Sequence, residues 1–126
     1  ANIGKKNLKK RIKIFNKLKK LGCKFPIIKS SRSYISKNSI IGEGSIIMHD
    51  AVINANVRIG RNCIINTKSL IEHDTIIGDH AHISTGVIVN GSCKIMSESF
   101  LGTGSIVLNN VNLKKKIISA GEKIKN

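Results

Sequence analysis

Ile59 to His82 reads IGRNCI INTKSL IEHDTI IGDHAH, four successive hexads that each open on isoleucine. The register extends both ways, through Ile35, Ile41, Ile47 and Ile53 on one side and Ile83, Val89, Ile95, Leu101, Val107 and Leu113 on the other. Fourteen consecutive hexads therefore carry an aliphatic first position. The fifth position is almost as restricted: Ser39, Ser45, Ala51, Val57, Cys63, Ser69, Thr75, Ala81, Val87, Cys93, Ser99, Ser105 and Val111, with Ile117 the one large residue. A period of six fits neither the 3.6 residues of a helical turn nor the alternation of a single strand. It fits short strands joined by bends and repeated along a solenoid, a parallel β-helix.

In such a solenoid the first residue of each hexad points inward and stacks on its equivalents, and the fifth sits near a corner where only a small side chain fits. Three hexads close a triangular coil of eighteen residues, and coils stack about 4.8 Å apart. The fourteen hexads from Ile35 to Ile118 predict between four and five coils, with the aliphatic position lost at Ser119. Gly42, Gly44, Asn54, Gly60, Asn62, Asn66, Gly78, Asn90, Gly91 and Gly102 are expected at corners that need compact or left-handed backbone.

The 126 residues make one domain-sized chain, 40% apolar, with one Tyr, three Phe and no Trp. A thin aliphatic interior needs few aromatics. The formal charge of +15 is uneven: residues 1–30 hold eleven cations and no acid, and the remaining eleven cations face seven acids. Leu8, Ile12, Phe15, Leu18 and Leu21 recur three or four apart, which predicts an amphipathic helix over Lys6–Leu21, ending at Gly22 and placed as a cap on the first coil. Its lysines read as a solvated face; the aromatics that would stack on bases are missing, so no nucleic-acid partner is expected. Lys24–Ser33, with the single proline Pro26, reads as an extended connection. Cys63 and Cys93 occupy the small interior position five hexads apart, as buried apolar residues of a reducing compartment, not a disulfide. No run approaches membrane-spanning length and no signal peptide is visible. The expectation is a cytoplasmic protein with no membrane partner.

Outward positions carry the candidate chemistry, most densely at Asn66, Glu72, His73, Asp74, His80 and His82. A histidine flanked by carboxylates suits general-base work, because a carboxylate fixes the tautomer of the ring. The run Ile65-Asn66-Thr67-Lys68-Ser69-Leu70-Ile71-Glu72-His73-Asp74, then Ile77-Gly78-Asp79-His80-Ala81-His82-Ile83-Ser84, resembles the sugar O- and N-acetyltransferases typified by NeuD and PglD, of the hexapeptide-repeat acyltransferase superfamily. The upstream stretches Ala51–Val57 and Ile59–Asn66 are similar too.

The resemblance implies a left-handed parallel β-helix, all-β apart from the N-terminal helix, against the usual right-handed crossover rule. It implies that residues 31–126 form the acetyltransferase domain and residues 1–30, with Ile3-Gly4 and the helix, the end of a nucleotide-sugar-binding domain. It makes His73 the general base, Asp74 its acidic partner and Asn66 a neighbour in the catalytic site. His82, Thr103 and Gly121 fall where the family contacts acetyl-CoA, the latter two through backbone lining the pantetheine groove. No metal is implied. The site is expected between subunits of a homotrimer, and the acceptor to be a nucleotide-linked amino sugar or a sialic-acid-like sugar of bacterial surface-glycan synthesis. Two other readings compete: a truncated, non-catalytic trimerisation scaffold, and a zinc lyase of the γ-carbonic-anhydrase type using His49, His73, His80 and His82.

Overall fold

The computed structural model describes residues 7–114 and 116–126; the expected helix start at Lys6 and the Ile3-Gly4 pair lie outside them. The described residues form one helix, Leu8–Lys20, and seventeen strands of two residues each. All strands pair in parallel, in three sheets of six, six and five. These are the three faces of a triangular, left-handed β-helix. The first face runs from Ile28–Lys29 through Ile46–Ile47, Ile64–Ile65, His82–Ile83 and Phe100–Leu101 to Ile117–Ile118. The second carries Tyr34–Ile35, Val52–Ile53, Leu70–Ile71, Ile88–Val89, Ile106–Val107 and Lys123–Ile124, and the third Ile40–Ile41, Arg58–Ile59, Ile76–Ile77, Lys94–Ile95 and Asn112–Leu113. We number the edges in chain order: the first joins the first and second faces, the second joins the second and third, and the third leads back to the first.

Pairing is eighteen residues out of phase, as in Ile64↔His82 and Ile71↔Val89, which is the expected three hexads per coil. The first position is the core: Ile47, Ile53, Ile65, Ile71, Ile77, Ile83, Val89 and Leu101 are buried in ladders, one per face, that meet in one cluster. Fifth-position hydroxyls other than Ser105 survive inside because they are hydrogen-bonded. Ser45 Oγ donates to the Gly60 carbonyl at 2.8 Å and accepts from the Cys63 amide at 2.9 Å, and Thr75 Oγ1 does the same with Asn90 and Cys93 at 3.0 and 3.2 Å. Burial pushes the Cys63 thiol up to about 11, so it is a small interior group and not a nucleophile.

Three features depart from the sequence reading. The array starts earlier, because Ile28–Lys29, within the expected connection, already pairs with Ile46–Ile47. It also runs further. The last coil is one residue short: Phe100 pairs with Ile117 and Ile106 with Lys123, seventeen residues on, so Ile118 and Ile124 take the inward position instead of Ser119. Ile117 is thereby an outward strand residue and no exception at the fifth position. The coils number between five and six.

The corners separate into two kinds that composition merges. The fourth position of the hexad holds the left-handed backbone, at Gly44, Asp50, Asn56, Asn62, Lys68, Asp74, His80, Gly86 and on to Gly121. Gly42, Gly60, Gly78 and Gly102 stand at the second position and answer a different demand. A Cβ there would lie 2.4 to 2.6 Å from the next coil, so they are glycine for space and not for φ.

The helix does not cap the first coil. Thirteen residues make a rod of about 20 Å, and it lies along the third edge. Lys19 reaches Glu43 at 2.9 Å, Phe15 packs on Gly44 and Phe25, and Arg11 donates to the backbone carbonyls of Asn62 and, at 2.7 Å, His80. The apolar face faces the edge as expected, with Phe15 buried and Leu8, Ile12 and Leu18 half-buried. Gly22, at φ 82°, ends the helix.

Candidate functional site

On the second edge the third and fourth positions of a hexad are His73 and Asp74. Their side chains are 54% and 52% exposed, which frees them for chemistry on a molecule arriving from solvent. The left-handed backbone of Asp74, φ 58°, brings its carboxylate beside the ring, and Oδ2 lies 2.8 Å from His73 Nδ1. The other oxygen accepts from Asn56 Nδ2 at 3.2 Å, from the equivalent position one coil back. Hydrogen bonds from His73 and Asn56 hold the Asp74 carboxyl below the usual carboxylate range. An ionised carboxylate only accepts, so Nδ1 carries the proton and Nε2 presents its lone pair. One coil ahead the ring rests over Gly91: a Cβ built there would lie 2.6 Å from Nε2 and 2.7 Å from Cε1. Asn56, Asp74, His73 and Gly91 thus form one column across three coils.

The first edge is of another character. Thr67, Thr85 and Thr103 stack there, and the fourth position of this edge is glycine at Gly86, Gly104 and Gly121. The amides of Gly86, Gly104 and Gly121 donate to the carbonyls of Thr67, Thr85 and Thr103 at 2.9 to 3.0 Å, so the candidates Thr103 and Gly121 touch across one rung. A Cβ at any of the three glycines would meet nothing. The edge is a strip of bare backbone open to solvent, a shape that accepts a slender chain laid along it. Asn66 belongs to this edge as well, its Oδ1 accepting from the Thr67 amide at 2.7 Å.

His82 lies on the first face between Ile64 and Phe100, buried, with its ring edge-on to Phe100 at 5.2 Å. The expected residues therefore fall into three places. His73 and Asp74 share the second edge, Asn66, Thr103 and Gly121 the first, and His82 the first face. A face of about five extended residues, roughly 17 Å, separates the two edges.

The remaining histidines hold structure together. His49 Nδ1 is 2.7 Å from Ser30 Oγ. His80, on the third edge, has Nδ1 2.9 Å from Asn62 Nδ2 and its ring against Phe15 at 5.6 Å. Burial, with Arg11 and Arg61 nearby, lowers its pKa and keeps it neutral. His49, His73, His80 and His82 thus stand on three edges and a face, so a zinc site of the kind weighed above would need ligands from more than one copy. No described helix is long and apolar enough to cross a membrane.

Sequence reasoning passed over Asn56 and Gly91, and the signal that finds them is the coil length: Asn56 precedes Asp74 by eighteen residues, and Gly91 follows His73 by eighteen.

Residues 38–73 match the bacterial transferase hexapeptide (six repeats) family. No curated protein matches the chain. Among solved structures it is similar to a point mutant of perosamine N-acetyltransferase from Caulobacter crescentus, in complex with CoA and GDP-perosamine, at 26% identity and a TM-score of 0.92 over 94% of this chain and 57% of that one. It is also similar to the acetyltransferase domain of PglB from Neisseria gonorrhoeae, at 30% identity and 0.87 over 94% and 58%, and to WeeI from Acinetobacter baumannii, at 26% and 0.75 over 93% and 63%. The chain spans less than two thirds of the length of each. Residues 38–73 thus carry bacterial transferase hexapeptide repeats, the chain winds into the left-handed β-helix of the hexapeptide-repeat superfamily, and the proteins it is similar to there include acetyltransferases.

Proposed function

We propose that this chain is the catalytic part of an acetyl-CoA-dependent sugar acetyltransferase, in which His73 is the general base. The observation that carries the reading is the second edge, where Asp74 accepts the Nδ1–H hydrogen bond at 2.8 Å and leaves the Nε2 lone pair seated over Gly91. An amine or hydroxyl of the acceptor attacks the thioester carbonyl as Nε2 accepts its proton. The new C–N or C–O bond replaces the C–S bond, the departing thiolate collects the proton from the imidazolium, and backbone N–H groups steady the tetrahedral oxyanion.

The bare strip of Thr103 and Gly121 fits the pantetheine arm, with His82 as a further contact on the adjoining face. This assignment is supported by neighbours solved with CoA and with a nucleotide-linked amino sugar. Because base and strip stand on separate edges, the reading includes a homotrimer in which the second edge of one copy meets the first edge of the next. The acceptor is a nucleotide-linked amino sugar or a sialic-acid-like sugar, and the setting bacterial surface-glycan synthesis in the cytoplasm.

The test is release of the coenzyme thiol by purified protein with a nucleotide-linked amino sugar, with coenzyme affinity measured in parallel. His73→Ala should lower transfer about 10² to 10⁴-fold and leave coenzyme affinity unchanged. A wild-type chain that binds no acetyl-CoA would favour the scaffold reading, and full transfer by His73→Ala would remove the base from the mechanism.

A further inference from the structure

Beside Asp74, on the third face, lies an open groove lined by Asn38, Ile40, Asn56, Arg58, Asp74 and Ile76. Its floor is three successive outward strand positions, Ile40, Arg58 and Ile76, one per coil. Two of these are isoleucines exposed by 57% and 42%, so the cation sits between apolar side chains that water solvates poorly. The other arginines of the chain are engaged: Arg11 on the carbonyls of Asn62 and His80, Arg32 on Asp50 at 2.6 Å and Arg61 on Asp79 at 2.9 Å. Among the described residues Arg58 is the one arginine whose guanidinium has neither an ion pair nor a hydrogen bond. The one acid in the lining, Asp74, is turned to His73 and Asn56.

We infer that Arg58 is the acceptor's anion-binding residue: its guanidinium takes an oxyanion, phosphate or carboxylate, borne by the sugar whose accepting group lies at His73. This rests on the acetyltransferase reading above. Arg58 stands one coil before Asp74 and two before Gly91, over which Nε2 of His73 lies, a span of about 10 Å. A hexose placed along the edge, with its amine or hydroxyl at Nε2, reaches that far with a substituent phosphate or acid group. The planar guanidinium binds such an oxyanion through two parallel hydrogen bonds, and the flanking isoleucines cover the sugar's less polar face. Asn38 adds an amide at the far end of the groove.

Steady-state kinetics of Arg58→Gln test this with three acceptors: a nucleotide-linked amino sugar, an amino sugar bearing a carboxylate, and an uncharged amino sugar. The KM for one of the two anionic acceptors should rise about tenfold or more, Arg58→Lys should recover part of it, and the KM for acetyl-CoA should not move. Which anionic acceptor responds names the source of the oxyanion. Arg61→Gln, which alters a paired surface arginine on the third edge, should match wild type throughout. An unchanged KM for both anionic acceptors overturns the subsite alone, as does a shift confined to acetyl-CoA, which would give Arg58 to the coenzyme phosphates. No transfer by wild type to any acceptor overturns the subsite together with the reading beneath it.

Discussion

His73 and His80 stand in successive hexads, each beside an aspartate, and the fold puts them in opposite settings. At the second edge the histidine holds the third position and the aspartate the left-handed fourth; at the third edge the order is reversed. Asp74 can turn back on its own neighbour, so His73 is oriented and exposed. Asp79 instead reaches the coil before it, taking the Arg61 amide at 2.7 Å and its guanidinium at 2.9 Å. His80 is left to accept from Asn62 and to face the helix, under Phe15 and beside Arg11. One residue of register separates a histidine oriented by its neighbouring aspartate from one that docks the helix.

The largest effect that would break this contrast is on stability. Phe15→Ala removes a buried ring from the third edge and should cost about 3 kcal/mol, whereas His73→Ala should leave the melting temperature within error of wild type. Thermal unfolding of both variants decides it; equal losses would mean that His73 is also structural.

Next comes an effect on rate without one on stability. Gly91 has no positive φ, so Gly91→Ala fits the backbone, but its methyl would occupy the seat of the His73 ring. Displacing the base by about 1 Å should lower kcat on the order of 10²-fold, with folding unchanged. A fully active Gly91→Ala would separate the reacting atom from Nε2.

The smallest effect is in pH. Burial disfavours the His80 imidazolium, so the unfolded chain takes up its proton first, near the ordinary value of 6.5. This contribution to stability is complete above that pH and is lost as pH falls through the lowered value of the folded state. Melting temperature should therefore drop between pH 7 and pH 5, and His80→Gln should flatten the drop. A slope in His80→Gln as steep as in wild type would contradict the assignment.

The period of six made the coil legible, because an aliphatic first position and a small fifth position leave few other ways to bury Ile47 or Ala51. Its hand came with the family resemblance. The short last coil escaped notice because Ile117 and Ile118 are both isoleucine, and only pairing with Phe100 and Leu101 tells which one faces inward. The helix face was readable from Leu8, Ile12 and Phe15, but not its place, since a hexad array encodes its interior and says nothing of which edge a separate rod will cover. For the site, Glu72-His73-Asp74 drew attention as a cluster. The members contributed by neighbouring coils, Asn56, Gly91 and Arg58, become visible when the sequence is written eighteen residues to a line. Glu72 then turns out to serve the scaffold, accepting from Asn54 Nδ2 at 2.9 Å one coil back.

The central claim is that base and coenzyme strip meet only across two copies of the chain, and mixing inactive subunits tests it most directly. His73→Ala lacks the base, and Thr103→Trp fills the open strip with a side chain at an exposed corner; each alone should transfer little acetyl. Unfolded together in equal amounts and refolded, they should recover about a quarter of wild-type activity, the chance that an intact second edge meets an intact first edge when subunits assort at random. Recovery of that size is what a shared site requires. No recovery, from mixed assemblies shown to have formed, would place the whole site within one chain and contradict the account.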